Sequence, residues 1–482
     1  MPNPTVAGVP ETISNHARLG AVSIEYLVRL KYVVGQSTTW SRGTEYQAIR
    51  GKILDVCQEC WSKLFNEAAL FRRIYQGKTL SEADILHLRT LLRTTSGTFI
   101  ALHELLLFLP RESIRRELRD YCECLFRPEF KTTKISLMLT SLFAAFEYSL
   151  DEVMRFLEAD VFKSKVPKRQ VLPFGNVLEL AIVDRSNPLA WAVLAHEFGH
   201  YLDHTSDITK RAVDQFVKKR LRGKVPESFI TAWKRLCSEI VADLTGYYLL
   251  GPCSILPLVN MSLLVGCLRD LPIEYDREHG APTTRVLMIR KLCEHDGIDA
   301  GRINPLLDTL IEEETRKAGE LPQKEQQNRT TIEDFLTDFF DAVRPGILRE
   351  LKARKFRQFT ARDYKNAESL AQNLANGLPV GSCRSHSDDE VREKLLTPRG
   401  DDWTWARKEY HLLTEHAVGV GEVISAGWID RIDLTADLFL RAFSEPDQEK
   451  AFSYIAKRLE EHDDLILKSI DMIPILEAQN AP

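Results

Sequence analysis

The sequence lacks long apolar runs and any strong excess of charge of one sign. Its 482 residues carry a formal net charge of −5, which gives no overall attraction to nucleic acid or to anionic membranes. The two longest apolar stretches, residues 98–110 and 253–268, fall short of the roughly 18 apolar residues of a spanning helix. We therefore expect no membrane partner, and the charge argues against nucleic acid as a partner.

A secretory signal is also missing, because the N-terminus has no basic segment followed by an apolar run. Nine cysteines, an odd number spread over the chain, then indicate reduced thiols and a cytoplasmic protein. Cys57, Cys60, Cys122 and Cys124 could in principle form a four-thiolate zinc site. Both pairs lie in helix-like sequence without glycine-bearing turns, so we favour small buried side chains.

Helical periodicity dominates both ends of the chain, whereas the middle contains a segment whose pattern is not helical. Residues 177–184, VLELAIVD, are short, apolar and compatible with a β-strand. Asn187 is a favourable N-cap, and Pro188 is a favourable first helical residue, so a helix should follow the strand. We expect three regions, with a long loop near 377–402 in the last of them: 1–160, 161–300 and 301–482.

The predicted helix carries a pattern typical of metal sites, His196-Glu-Phe-Gly-His200. Residues four apart lie on one helical face, about 5–6 Å apart between Cβ atoms, so both imidazoles can reach one ion. Glu197 projects in a neighbouring direction, where it can reach a metal-bound water without being a ligand. His204 lies about 12 Å from His196 along the helix axis, too far to share the ion, and we interpret it as a solvated residue.

A third ligand is expected from a second helix. Glu239-Ile-Val-Ala-Asp243 places two carboxylates four residues apart in apolar surroundings, where an unpaired carboxylate is costly to bury. Glu239 could complete a two-histidine, one-glutamate site. Asp243 could then orient a ligand histidine through the other ring nitrogen.

An H-E-x-x-H motif followed by E-x-x-x-D on a second helix resembles the gluzincin metallopeptidases, over about residues 177–290. The resemblance implies one zinc ion per chain bound by His196, His200 and Glu239. Glu197 would be the general base, and Asp243 the partner of a ligand histidine, His196 in our interpretation. It also implies a mostly α, α+β fold, in which a zincin-like core with a small sheet lies between helical N- and C-terminal regions.

A second resemblance concerns the segment REHGAPTTRVLMI, residues 277–289. It is similar to the segment after the ligand helix in the CAAX prenyl protease and HtpX-type peptidases. This implies that His279 lines the site as a catalytic residue and that Arg285 holds the oxyanion or the aspartate. The chain departs from that pattern at Gly280 and Ala281, and it lacks the transmembrane helices of that family. A loop histidine and a helix-surface arginine remain the alternative.

Together these features predict a zinc metalloendopeptidase that acts on a peptide or protein substrate. Glu197 would take a proton from the attacking water and pass it to the leaving amine. The strand at 177–184 could pair with an extended substrate. Tyr247, Tyr248 and His279 are candidate donors to the oxyanion.

Two alternatives stay open at this point. The chain could be a non-catalytic, zinc-containing helical scaffold whose terminal regions bind partners. It could also be a protease whose helical arms respond to a regulatory protein partner.

Overall fold

The computed structural model describes most of the chain, with gaps, and every structural statement below refers to that part. The described residues are 15–36, 44–106, 116–130, 135–140, 145–147, 176–181, 184, 187–220, 227–266, 281–319, 339–379 and 418–479.

Helices account for nearly all of these residues. In chain order they are α1 (Asn15–Gln36), α2 (Thr44–Asn66), α3 (Ala68–Tyr75), α4 (Glu82–Leu106), α5 (Arg116–Phe130), α6 (Val193–Ser206), α7 (Ile208–Arg220), α8 (Glu227–Leu250), α9 (Leu256–Gly266), α10 (Pro282–Asp296), α11 (Asn304–Ala318), α12 (339–353), α13 (Ala361–Ala375), α14 (Val420–Ala442) and α15 (Gln448–Gln479). None of the described helices combines the length and the apolar character needed to cross a bilayer.

The expected fold class, α+β with a sheet in a zincin-like core, is wrong, because the described chain is an all-α fold. Strand structure is confined to three short segments, β1 (Ile135–Thr140), β2 (Ala145–Glu147) and β3 (Asn176–Ala181). They pair in the order β1-β3-β2, with β1 parallel and β2 antiparallel to β3. So little strand forms no layer of its own, and helices enclose the core.

The position of β3 also corrects the proposed substrate strand. This strand overlaps residues 177–184, which we expected to offer a free edge to an extended peptide. Instead β3 is the middle strand, with Leu178 paired to Leu137 on one side and to Phe146 on the other. Because both backbone edges of β3 are occupied over residues 177–179, a substrate cannot add there as a further strand.

The start of α6 differs slightly from the expected one. A 3-10 turn at Ala190–Ala192 precedes the helix, and the backbone N–H of Ala190 donates to the carbonyl of Asn187. The helix therefore begins at Val193 rather than at Pro188. The shift leaves the histidine motif well inside the helix.

One hydrophobic cluster runs through the described helices, from Ala17 of α1 to Ile473 of α15. The division into regions 1–160, 161–300 and 301–482 stays a prediction. The loop expected near 377–402 lies almost entirely outside the described residues.

Helices α6 and α8 pack against each other in this core and meet at Gly199. A Cβ atom at this glycine would lie 2.4 Å from Cα of Ala242 and 2.9 Å from its carbonyl oxygen. Both are backbone atoms that no side-chain rotation can move. The absence of a side chain at Gly199 is therefore what lets the two backbones approach.

Replacing Gly199 with alanine should destabilise the protein by about 1–3 kcal/mol or more, since the added methyl group overpacks a backbone contact. Gly51 is the matched control, because it lies within α2 and a Cβ there meets nothing within 4 Å. Gly51→Ala should be neutral or stabilising by up to about 1 kcal/mol, given the better helix propensity of alanine. Urea denaturation of both variants measures this, and equal stability of Gly199→Ala and wild type would contradict the packing argument.

A buried ion network joins the two ends of the chain. Asp463 of α15 accepts hydrogen bonds from Arg29 of α1 at 2.6 Å and from Arg431 of α14 at 2.8 Å, and Arg431 also reaches Glu25 at 3.1 Å. Burial opposes the charge of Asp463, but the two arginines outweigh it and hold its pKa well below the ordinary value.

The lowered pKa of Asp463 has a defined consequence for acid stability. Its contribution is fully present above the unfolded-state pKa of about 3.9 and is lost as the pH falls further. Asp463→Asn should therefore cost about 3–5 kcal/mol at pH 7. The difference from wild type should shrink as the pH is lowered, because a protonated aspartate resembles asparagine.

Denaturant titrations at several pH values between about 7 and 2 would measure the effect of Asp463→Asn. Asp464→Asn, an exposed neighbour on the same helix, is the control and should change little. A difference between Asp463→Asn and wild type that does not vary with pH would exclude the proposed linkage.

Candidate metal centre

The histidine motif and the carboxylate motif come together where α6 and α8 pack. Nε2 of His196 and Nε2 of His200 are 3.2 Å apart. Oε2 of Glu239 lies 3.4 Å from the first of these atoms, and its Oε1 lies 3.4 Å from the second. The three side chains are largely buried, with exposures of 14, 13 and 9 %. The three expected ligands thus share one small volume.

A buried ion pair holds His196 at Nδ1, the ring nitrogen that faces away from the other expected ligands. Its Nδ1 lies 2.8 Å from Oδ1 of Asp243, as expected for the residue four positions after Glu239. Arg285, in the first turn of α10, donates to both oxygens of Asp243 at 2.6 and 2.7 Å. Its Nη1 also lies 3.2 Å from Oε2 of Glu239. Arg285 therefore ties the carboxylate behind His196 to the third expected ligand.

His200 has a different support. Its Nδ1 lies 3.3 Å from Oγ of Ser238, and that hydroxyl donates to Oδ2 of Asp203 at 2.9 Å. The other oxygen of Asp203 accepts the backbone N–H of Thr209 at 2.7 Å, at the start of α7. The two histidines are thus backed by different chemical groups.

These partners determine where the ring protons lie. An ionised carboxylate can only accept, so Nδ1–H of His196 donates to Asp243. The Ser238 hydroxyl gives its single hydrogen to Asp203, so Nδ1–H of His200 donates to Ser238. When neither ring carries a second proton, both Nε2 atoms present lone pairs to each other and to the carboxylate of Glu239. Three electron-pair donors that converge in this way attract a cation, either a proton or a metal ion. The group can hold a metal ion.

The local charges favour a cation in the same place. Burial opposes ionisation of Glu239, but Arg285 and the two histidines outweigh it and keep its pKa well below the ordinary value. Burial likewise disfavours the charged form of His196, yet hydrogen bonds with Asp243 and Glu239 raise its pKa to about 10. A proton and a metal ion compete for such a histidine, and negative surroundings attract both.

Glu197 and His204 both lie on α6 outside the group of expected ligands. Glu197 is buried, with 7 % exposure, beside the first ligand, and its charge acts on Arg285. It is not a member of the His196-His200-Glu239 group. His204 lies in the last turn of α6, is exposed, and is also outside the group.

The downstream segment is described only in part. Arg285 is 3 % exposed and lies against Asp243 and Glu239, so it is not a helix-surface arginine. His279 lies outside the described residues, and its catalytic role stays a prediction.

The two candidate tyrosine donors face another part of the fold. Nε of Arg344 donates to the hydroxyl of Tyr248 at 2.6 Å, and the same arginine pairs with Asp296. The charge of Asp296 also acts on Tyr247. Asp296 ends α10, about 16 Å along the axis from Arg285 at 1.5 Å per residue. The hydroxyls of Tyr247 and Tyr248 are therefore not placed as oxyanion donors.

The four cysteines of the proposed thiolate site belong to the hydrophobic core or pack against it. Cys57, Cys60 and Cys122 are buried in it and Cys124 packs against it, while burial raises the pKa of Cys57 to about 12. Across the described segments, His196, His200 and Glu239 form the one group of three or more such side chains able to hold a metal ion. The four-thiolate alternative finds no support there.

The sequence interpretation missed Gly199, Ser238 and Asp203. A signal existed for the glycine, because glycine in a helix interior is about 1 kcal/mol worse than alanine and calls for a packing reason. Ser238, directly before Glu239, and Asp203, three residues after His200, carry no such signal in the sequence. Their importance depends on the way α6 faces α8.

The chain was compared with models of known protein families, with curated proteins and with solved structures, and none of the three comparisons gave a match.

Replacing Asp243 with asparagine should lower the affinity for a divalent metal about 10–100-fold, because the group that orients His196 and compensates Arg285 is weakened. The measurement is competition for zinc with a chromophoric chelator. Asp463→Asn is a matched control, since it also removes a buried aspartate from an arginine but lies away from the metal group. Equal affinities in the two variants would show that Asp243 does not orient a ligand.

Proposed function

We propose that the chain is a zinc-dependent, gluzincin-like metallopeptidase that hydrolyses internal peptide bonds of a protein or peptide substrate. The observation that carries this proposal is the convergence of two imidazoles and one carboxylate, with a buried carboxylate outside this group, Glu197, directly after the first histidine in the sequence.

The donor types and their spacing favour zinc. Ligands at about 2.0–2.1 Å around a tetrahedral ion lie roughly 3.3–3.4 Å from each other. The two imidazole nitrogens are 3.2 Å apart, and each lies 3.4 Å from a different oxygen of Glu239, so that one atom from each residue lies within 4.8 Å of the others. Calcium and magnesium prefer sites built from oxygen ligands, which two imidazoles do not supply.

The number of ligands favours catalysis over a structural role. Structural zinc sites are closed by four protein ligands, whereas catalytic sites use three and leave one position for water or substrate. Among the residues that the structure describes, His196, His200 and Glu239 supply three. A structural site also has no need of a further acid, yet Glu197 follows the first ligand directly.

The side chains around the metal group then have separate roles in the proposed reaction. A zinc ion in this group supplies Lewis acidity, which polarises a peptide carbonyl and makes water more acidic. Glu197 accepts the proton from the attacking water and returns it to the leaving amine. Asp243 and Arg285 hold the side chains of His196 and Glu239 in position. A role for His279 and a cytoplasmic location remain part of the proposal.

Changing Glu197 to glutamine should leave one zinc per chain and reduce peptide cleavage by about 10²–10⁴-fold, because the amide cannot accept the proton. Elemental analysis gives the zinc content. Fluorescein-labelled casein and a library of quenched peptides give the cleavage rate. Glu350→Gln is the matched control and should cleave like wild type, since Glu350 accepts a hydrogen bond from Ser206 rather than lying among the ligands.

Each result of the Glu197→Gln experiment has a clear meaning. Wild-type cleavage by a zinc-loaded Glu197→Gln chain would exclude this mechanism. A wild-type chain that binds zinc and cleaves neither probe would favour the non-catalytic scaffold. A wild-type chain without zinc would remove the basis of the proposal.

A further inference from the structure

We propose that Ser238 and Asp203 are positioning residues that fix His200 as a metal ligand, through a hydrogen-bonded relay between α6 and α8. The inference rests on the proposed function only in taking His200 to be a ligand.

The two ligand histidines are supported unequally. His196 donates directly to a carboxylate, Asp243, at 2.8 Å. At the same ring position, His200 meets the hydroxyl of Ser238 at 3.3 Å, and the carboxylate of Asp203 stands one hydrogen bond further away. The relay thus offers Nδ1 of His200 a hydrogen-bond acceptor without placing a full negative charge next to that atom.

The relay closes a loop between the two helices. Asp203 lies three residues after His200 on α6, and Ser238 directly precedes the ligand Glu239 on α8. Two hydrogen bonds cross between the helices, one from His200 to Ser238 and one from Ser238 to Asp203. They connect His200 on α6 to the segment of α8 that carries Glu239. They fix the ring of one ligand relative to the backbone that carries the other.

Asp203 is itself held in place. It is 8 % exposed, and its second oxygen accepts the backbone N–H of Thr209 at 2.7 Å. This bond satisfies one of the unpaired N–H groups of the first turn of α7. Because the carboxylate is anchored there, it can dictate the direction of the Ser238 hydroxyl and leave that oxygen ready to accept from His200.

The relay selects the tautomer of His200 that can bind a metal. With Nδ1–H donated to Ser238, the lone pair lies on Nε2, which faces His196 and Glu239. Without that acceptor, the proton can move to Nε2 or the ring can rotate, and either change removes the lone pair from the site. Loss of such outer support typically weakens metal affinity about 10–100-fold.

The test compares Ser238→Ala with Ser238→Thr, which keeps the hydroxyl. Zinc affinity is measured by chelator competition, and the tautomer of His200 by long-range ¹H–¹⁵N NMR of the zinc-free full chain. Ser238→Ala should lose about 10–100-fold in affinity, and Ser238→Thr should recover most of it. Asp203→Asn should give an intermediate loss, because one amide oxygen must replace two carboxylate oxygens.

Ser425→Ala is the matched control for Ser238→Ala. Its hydroxyl is buried and donates to the carbonyl of Leu250, away from the ligands, so its removal should leave the zinc affinity unchanged. Thermal melts of all variants show whether a loss of affinity follows a loss of folding. A general loss of stability would lower the melting temperature without altering the His200 tautomer.

The failure of this inference is distinguishable from that of the proposed function. If Ser238→Ala binds zinc like wild type, or if Ser238→Thr binds as weakly as Ser238→Ala, the relay is wrong while the metal centre stands. If Ser238→Ala weakens zinc binding as expected but Glu197→Gln still cleaves, the peptidase mechanism is wrong and the relay stands. If the wild-type chain binds no zinc, both fall.

Discussion

The metal group depends on one backbone contact, the approach of α6 to α8 at Gly199. His196 and His200 lie on α6 around this glycine, and Glu239 and Asp243 lie on α8 around its contact residue, Ala242. The 3.4 Å separations between Glu239 and the two histidines follow from that approach. Short side chains cannot reach across a wider gap, so a side chain at Gly199 would separate the ligands as well as the helices.

Charge is the second constraint on this arrangement. Glu197, Glu239 and Asp243 are each 7 % exposed, and Arg285 is the one arginine bonded to two of them. With both histidines neutral, as metal binding requires, three carboxylates against one guanidinium leave two negative charges in a largely buried group. Excess charge is expensive to bury unless it is compensated. A divalent cation compensates it, so the charge balance and the ligand geometry lead to the same conclusion.

The sequence was sufficient for the parts of the site that local geometry determines. The i, i+4 spacing of a helix places His196 beside His200, and the apolar surround of Glu239 implies a partner for it. Ser238 and Asp203 could not be found in this way, because their contacts depend on how two helices face each other. The fold class failed for a related reason. A short apolar segment at 177–184 suggests a strand but says nothing about how small the sheet is or which strand lies in its middle.

The helices that follow the site in sequence form part of its support. Arg354, directly after α12, donates to the hydroxyls of Thr205 and Ser206 at the end of α6, both at 3.0 Å. Phe359, two residues before α13, donates its backbone N–H to the carbonyl of Tyr248 on α8 at 2.7 Å. Both ligand-bearing helices are therefore anchored by residues beyond 301. A fragment limited to 161–300 would expose these helix ends, so its inactivity would reflect lost support and would say nothing about a regulatory arm. The full chain is accordingly the unit in which this chemistry has to be studied.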